Sequence, residues 1–307
     1  MKRVQYSNPI IPNSEKRNTS DPFVVRHNGV YYHCYSNREG VFITKSDTLW
    51  DIGKNPSILV YDCKKEGALL HWYAPELHFI DGSWYIYAAP DYGNNLHVMT
   101  VLMCKGEDPL GQYTVMGQMR GLENIWSIDG TPFYYQNEWW FSWTNCFELY
   151  LSKMNGPCGI VLEKLVLTKP EYDFEKQGSP VNEGPAAIVR GKKLFIIYSA
   201  SDSKSEDYCL GLLEFLGDTS DDMLCKEKWY KYKEPVFQKT ETILGPGHCS
   251  FTKVEIDGVD EDYIVYHANE NLEAGWDGRS VWTQKFVFDE QGRPIFGKPK
   301  KECRISQ

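Results

Sequence analysis

At 307 residues with a net charge of −9, the chain lacks the basic stripe that a nucleic acid would demand; KPKK from Lys298 is its one small basic cluster. The longest apolar runs, such as LFIIY from Leu194, are of strand length, which excludes a helical membrane span. Hydrophobic residues at 42% suffice for a large core, and aromatic residues at 14% suit half-buried strands as well as ligand-stacking surfaces.

In chain order, five stretches repeat one pattern, and no long stretch places apolar residues at helical spacing. SDPFVVRHNGVYYHCYS from Ser20 opens on Asp21, turns at Asn28-Gly29 and is followed by VFITKS. APELHFIDGSWYIYAA from Ala74 carries Glu76, turns at Asp81-Gly82 and leads to HVMTVLM. IDGTPFYYQNEWWFSWT from Ile128 carries Asp129, turns at Gln136-Asn137 and leads to ELYLSKM. NEGPAAIVRGKKLFIIYSA from Asn182 carries Glu183, turns at Arg190-Gly191 and leads to CLGLLEF. GHCSFTKVEIDGVDEDYIVYHAN from Gly247 carries His248 and leads to VWTQKFVF. The turn residues are those that tolerate positive φ in two-residue hairpins. A β-patterned unit recurring every 53 to 65 residues predicts an all-β, five-bladed propeller. The repeat leaves no room for a linker, so residues 1–307 are expected to form a single domain with its site at one end of the central axis. Three weakly patterned stretches, Asn55–Leu70, Lys169–Pro180 and Asp218–Glu234, are expected to be loops over one face and walls of a binding site.

Nine cysteines, an odd number without any CxxC pair, predict no metal cluster and no disulfide framework. Cys34, Cys104, Cys146 and Cys209 fall in or beside apolar strand patterns, where a thiol acts as a small hydrophobe. With MKRVQYSNPI lacking an apolar leader, the expected location is the cytoplasm.

A single Asp or Glu beside Pro or Gly is usually a turn residue. Asp21, Asp129 and Glu183 at matching repeat positions would instead crowd around one axis, where like charges raise one another's pKa. Glycoside hydrolysis uses such a conflict: one carboxylate stays ionised to activate water and another keeps its proton for the leaving oxygen. The ordered set of Asp21-Pro22, Ser127-Ile128-Asp129-Gly130, Glu183-Gly184-Pro185, Gly247-His248 and Gly278-Arg279 resembles glycoside hydrolase family 43, over nearly the whole chain. That resemblance implies Asp21 as general base, Glu183 as general acid and Asp129 as the group that keeps the pKa of Glu183 high. It also implies inversion, with the Asp21 and Glu183 carboxyls roughly 6.5–9.5 Å apart.

By the same resemblance, Arg279 lies near the sugar's hydroxyls, with a salt bridge to an axial carboxylate as the competing reading. Glu76 points at the axis or the substrate, or is a rim residue bonded to its neighbours. His248 either sits on a structural calcium ion in the central channel or bridges blades; the chemistry itself requires no cofactor. Trp72, Tyr73, Trp126, Trp143 and Trp276 lie beside openers or in linking loops. Trp72, Tyr73 and Trp126 are the expected substrate-binding aromatics, and the Tyr73-Ala74-Pro75 motif departs from the family's Trp-Ala-Pro. WYAPELHFIDGSWYIYAAP and GRPIFGKP look most like the arabinofuranosidases, which implies exo-action on arabinan or arabinoxylan fragments. A β-xylosidase, an endo-arabinanase, a galactosidase and an inactive sugar-binding propeller are the alternatives. The retaining sucrose and fructan hydrolases share the early Asp-Pro but differ at the other two acids. An oligosaccharide is the expected partner, with no nucleic acid and no membrane; the oligomeric state is unknown from sequence.

Overall fold

Two-residue turns set the register of every blade. Asn28-Gly29, Asp81-Gly82, Gln136-Asn137 and Asp257-Gly258 all take positive φ at both positions, the twist that joins antiparallel strands without splaying them. The fourth unit differs from the expectation: Arg190 pairs with Lys193, so the turn is Gly191-Lys192, with positive φ at Gly191 alone. The computed structural model describes residues 5–14, 17–65, 67–218, 220–273 and 275–304. The ends of the expected 1–307 domain, residues 1–4 and 305–307, lie outside the described residues.

Four antiparallel blades follow one order. Blade 1 comprises Phe23–His27, Val30–Ser36, Gly40–Ser46 and Ser57–Asp62; blade 2 Leu70–Ile80, Ser83–Asp91, Thr100–Lys105 and Thr114–Gln118. Blade 3 comprises Ile128–Tyr135, Glu138–Asn145, Glu148–Lys153 and Leu165–Thr168; blade 4 Asn182–Arg190, Lys193–Ala200, Cys209–Phe215 and Trp229–Lys231. Blade 5 has three strands, Leu244–Ile256, Val259–Asn269 and Ser280–Lys285. Its outer place is taken by the N-terminal segment, where Ile11 and Val281 exchange hydrogen bonds. Gln5–Ser7 then pairs with Glu302–Arg304, so both chain ends close the ring. The first strands of adjacent blades touch one another and line the axis. Among the described residues there is no α-helix, only short 3₁₀ turns.

The core is five apolar clusters, one between each pair of adjacent blades. Trp84, Phe141, Tyr198, Tyr266 and Val24 are fully buried members of different blades. Flat aromatic and β-branched side chains fill the wedge between twisted sheets.

The inner strands share an irregularity. In blades 2 to 5 two residues oppose one across the first hairpin, at Ala74-Pro75, Asp129-Gly130, Gly184-Pro185 and His248-Cys249. In blade 1, Asp21-Pro22 stands just before the paired strand. The first residue of each pair is left-handed: Asp21 (φ 51°), Ala74 (40°), Asp129 (55°), Gly184 (55°) and His248 (42°). A bulge of this kind bends the strand and re-aims the neighbouring side chains. It also corrects the expected register. Asp21, Asp129 and His248 are equivalent, whereas Glu183 precedes its bulge and Glu76 follows its own.

Strand parity places the openers, the second-to-third-strand connections and the blade-to-blade connections at one end of the ring. Lys169–Pro180 lies at that end as expected. Asn55–Leu70 contains the outer strand of blade 1, and Asp218–Glu234 contains that of blade 4. The segment from Asp218 to Lys228 joins the third and fourth strands at the opposite end, where the Gln136 amide donates to Asp218 O. It is no wall of the site.

Closure can be tested at Asn8, which is buried between the chain ends. Its amide donates to the carbonyls of Thr283 and Lys300, both at 2.8 Å, and accepts the Thr283 N–H at 2.9 Å. Asn8→Ala strands these groups and is expected to cost about 2–4 kcal/mol, measured by urea denaturation. A change below 1 kcal/mol would separate this closure from stability.

Candidate active site

Their left-handed backbone turns Asp21, Asp129 and His248 toward one funnel at the axis, with Glu183 and Glu76 beside them. Asp21 Oδ1 lies 3.2 Å from His248 Nδ1 and 3.6 Å from an Arg279 guanidinium nitrogen. Its backbone N–H donates to His267 Nδ1 at 3.1 Å. Burial alone would push the Asp21 carboxyl up, but His248 and then Arg279 hold it well below the usual carboxylate range. Arg279 is fixed from behind by its Nε, which donates to Trp276 O at 3.1 Å. The guanidinium therefore makes the salt bridge that was one of its two expected readings.

Asp129 and Glu183 have the opposite surroundings. Burial pushes Asp129 up to about 6, with Asp21 and Glu76 adding to the shift. Asp129 Oδ2 accepts the Gly184 N–H at 3.1 Å and the Thr144 hydroxyl at 3.4 Å. Burial and the adjacent Asp129 push Glu183 up to about 7, opposed by the Tyr208 hydroxyl that donates to its Oε1 at 2.7 Å. His248 is raised: burial disfavours its charge, but Asp21, Asp129, Glu183 and Glu76 together outweigh that cost.

Two glycines make this packing feasible. A Cβ on Gly184 would lie 3.0 Å from His248 Nδ1, and the left-handed φ there favours glycine in any case. A Cβ on Gly247 would lie 2.2 Å from the Tyr208 ring. Tyr208 is thus held between Gly247 and His267, on which it stacks at 5.5 Å and 9°. Burial pushes His267 down to about 4, so the ring is neutral and Nδ1 is free to accept the Asp21 N–H. Tyr208 and His267 were not singled out in the sequence. Tyr208 precedes an apolar strand and His267 ends one, so each reads as core; the small residue at Gly247 was the only hint.

The remaining expected residues separate. Glu76 is buried and its Oε2 lies 2.8 Å from His78 Nε2, the neighbour-bonded alternative, while its charge still reaches Asp129 and His248. Trp72 is not on the funnel surface: it is 3% exposed, packs on Tyr61 and donates to Leu69 O. Trp143 is likewise buried. Neighbouring strand residues point to opposite faces, and here Tyr73 takes the open one. It is 46% exposed and lies flat on His97, centroids 3.8 Å apart. Trp126 is half-buried beside Phe147, and Trp276 is half-exposed.

A calcium ion at His248 would take the imidazole nitrogen and draw its oxygen ligands mainly from water, as the family resemblance implies. Calcium takes six to eight oxygen ligands. Among the described residues no three His, Cys, Asp or Glu side chains are grouped as ligands of one ion, and the carboxylate beside His248, Asp21, pairs with His248 and Arg279. A cavity of about 650 Å³ beside Tyr172, Phe174, Gln177, Asp207 and Lys233 contains none of the axial carboxylates.

A five-bladed ring with unequal carboxylates at one end of its axis defines a class of sugar-cleaving propellers, and the sequence comparisons agree. The model of glycosyl hydrolases family 43 matches residues 6–294, and the chain belongs to that family. It is 32% identical to an extracellular exo-alpha-(1->5)-L-arabinofuranosidase of Streptomyces avermitilis, over 96% of this chain and 64% of that protein. An enzyme of the same name from Streptomyces chartreusis is also 32% identical, over 87% of this chain and 84% of its own length. The chain thus spans less than two thirds of the first of these relatives. The crystal structure of an alpha-L-arabinofuranosidase from Lactobacillus brevis superposes with a TM-score of 0.86 at 30% identity, covering 96% of this chain and 97% of that one.

These relatives overturn the expected cytoplasmic location, since the two Streptomyces proteins are extracellular enzymes. The cysteine argument fails for a physical reason. All nine thiols are unpaired, and Cys34, Cys63, Cys104, Cys209, Cys249 and Cys303 are buried, where a thiol is inert in either redox compartment. Cys146, expected among the apolar strand residues, is instead exposed in a turn.

The raised carboxyl of Glu183 has a stability consequence. A carboxyl whose folded pKa exceeds its unfolded value destabilises the fold as pH rises from the unfolded pKa through the folded one. Glu183→Gln removes that titration. Its melting temperature is expected to exceed the unsubstituted protein's at pH 8 by a few degrees, with the gain shrinking by pH 5. A gain independent of pH would contradict this assignment.

Proposed function

We propose that the protein is an inverting, exo-acting α-L-arabinofuranosidase that releases L-arabinofuranose from arabinan or arabinoxylan fragments. The observation that carries this reading is the electrostatic division of the funnel, with Asp21 held ionised by His248 and Arg279 while Glu183 keeps its proton near neutral pH. The arabinofuranosidases at 32% and 30% identity support the choice of sugar, and the names of the Streptomyces enzymes support exo-action. A single domain spanning residues 1–307 carries the activity in this reading.

Asp21 orients a water molecule on one face of the sugar. As the water oxygen bonds to the anomeric carbon, its proton passes to the Asp21 carboxylate. Glu183 gives its proton to the glycosidic oxygen, the old C–O bond breaks, and the product has the inverted configuration. Asp129 keeps Glu183 protonated through its charge and is anchored by the Gly184 N–H. Tyr208 positions the acid, and His267 positions the base through its backbone. Arg279 and Tyr73 face the reacting sugar, and Trp126 lies farther along the rim. This chemistry calls only on side chains and water.

A panel of aryl arabinofuranosides, xylosides and galactosides followed by NMR tests the reading. The expected first product from an α-L-arabinofuranoside is the β-anomer; the α-anomer would overturn inversion, and preferred cleavage of the xyloside would overturn the sugar. Glu183→Gln should lose on the order of 100- to 10,000-fold with a poor leaving group; near-unchanged turnover would remove Glu183 as the acid.

The pH profile adds a separate test. With Asp21 ionised throughout, kcat/KM should fall on the alkaline side near pH 7 as Glu183 loses its proton. Tyr208 donates to the carboxylate and so stabilises its charged form; Tyr208→Phe should move this limb to higher pH. A lower rate with an unmoved limb would leave Tyr208 with packing alone.

A further inference from the structure

The second-to-third-strand connection of blade 3 is the shortest on the funnel face, and its conformation is costly. Asn145 pairs with Glu148, leaving Cys146 and Phe147 as the two turn residues. Both are left-handed, at φ 48° and 64°. Hairpin turns of this type favour Asn and Gly at these places because most side chains are strained there. A bulky ring at the second position therefore opposes local preference, and strain of this kind gathers at functional sites.

The turn also leaves the ring uncovered. Phe147 is 47% exposed and its centroid lies 5.9 Å from that of Trp126, at 60°. Its carbonyl accepts the Asn182 N–H at 3.0 Å, which fixes the turn beside the residue that precedes Glu183. Trp126 in turn stands three residues before Asp129. The two rings thus flank the acid's side of the funnel, on blade 3, whereas Asp21 belongs to blade 1.

In an inverting reaction the acid is next to the departing oxygen, and the base lies across the anomeric carbon. The sugar that leaves must therefore lie on the Glu183 side. The corresponding connections of blades 2, 4 and 5, residues 92–99, 201–208 and 270–279, are all longer than this two-residue turn. Resting on the arabinofuranosidase reading above, we propose that Phe147, with Trp126, is the platform on which the leaving furanose of the oligosaccharide stacks. The recognised chemistry is the apolar C–H face of a second sugar ring, met by an aromatic face held rigid by the strained turn.

The test replaces the turn with the residues its geometry prefers, Cys146→Asn with Phe147→Gly, alongside Phe147→Ala. The double variant should melt at a higher temperature than the unsubstituted protein, which separates loss of the ring from loss of the fold. Turnover is compared on α-1,5-arabinotriose and on α-L-arabinofuranosyl fluoride, whose leaving atom fills no second-sugar place. For both variants the ratio of kcat/KM for the triose to that for the fluoride should fall about tenfold. Fluoride turnover by the unsubstituted protein reports the hydrolase reading separately. Calorimetric binding of the triose to Glu183→Gln protein needs no turnover, and should weaken about tenfold when Phe147→Ala is added. An unchanged ratio, or unchanged triose binding, overturns the platform.

Discussion

Closing five sheets into a ring forces the ends of five inner strands onto one axis, and most of the site's properties follow from the charges brought together there. Asp21, Glu76, Asp129 and Glu183 all influence the titration of the one imidazole, His248. Two unit charges about 4 Å apart at an effective dielectric near 20 interact by about 4 kcal/mol, so full ionisation of these neighbours would be expensive. The ring resolves the conflict unequally. Blade 5 supplies Arg279 and His248, whose protonated form is favoured by the surrounding carboxyls, next to the carboxylate of blade 1. On blades 3 and 4, Asp129 and Glu183 accept hydrogen bonds from the Gly184 N–H and the Tyr208 hydroxyl, and burial outweighs the pull of His248 on both. Charge therefore settles on the Asp21 side and protons on the Glu183 side.

Backbone strain makes the crowding geometrically attainable. A regular strand would alternate its side chains between the two inter-blade cores and could not present a carboxylate to the axis. A left-handed residue interrupts that alternation at the mouth of each inner strand, within a bulge in blades 2 to 5. Three of the five left-handed positions hold Asp or His, which tolerate this region better than most residues, and one holds glycine. Glycine at 184 moves the fourth unit's acid one place earlier. Asp129 can then accept the Gly184 N–H while the Glu183 carboxylate meets Tyr208. Two acids with nearly the same neighbours gain different partners because Asp129 is the first residue of its bulge and Glu183 stands one place before its own.

Much of this was legible in the residues. The 53- to 65-residue recurrence and the turns at Asn28-Gly29, Asp81-Gly82 and Gln136-Asn137 predicted the blades, because period-two patterning and positive-φ residues are local properties. The grouping of Asp21, Asp129, Glu183, His248 and Arg279 was visible too, although the register among them was not, since a bulge is a pairing event between strands. Trp72 shows a second limit. It and Tyr73 are adjacent aromatics, and sequence cannot tell which face of the inner strand is the filled wedge and which is the funnel. Asp218–Glu234 shows a third: a weakly patterned loop carries no sign of the end of the ring at which it lies. Tyr208 is a fourth, because a tyrosine that orients a carboxylate looks like one that fills a core until Gly247 and His267 are seen against its faces.

The pairing of Tyr208 with His267 also links the two halves of the charge division. One member of the stack donates to Glu183, and the other accepts the backbone N–H of Asp21. Neither is charged: burial raises the Tyr208 hydroxyl well above its usual range, and His267 is held neutral. A neutral, buried stack between acid and base holds their spacing without adding a charge that would erase their difference. A lysine or a second carboxylate in this place would pull the two carboxyl pKa values together or apart through space. The aromatic pair acts through packing and directed hydrogen bonds, which leaves His248 and Arg279 of blade 5, both beside Asp21, as the main source of asymmetry in the funnel.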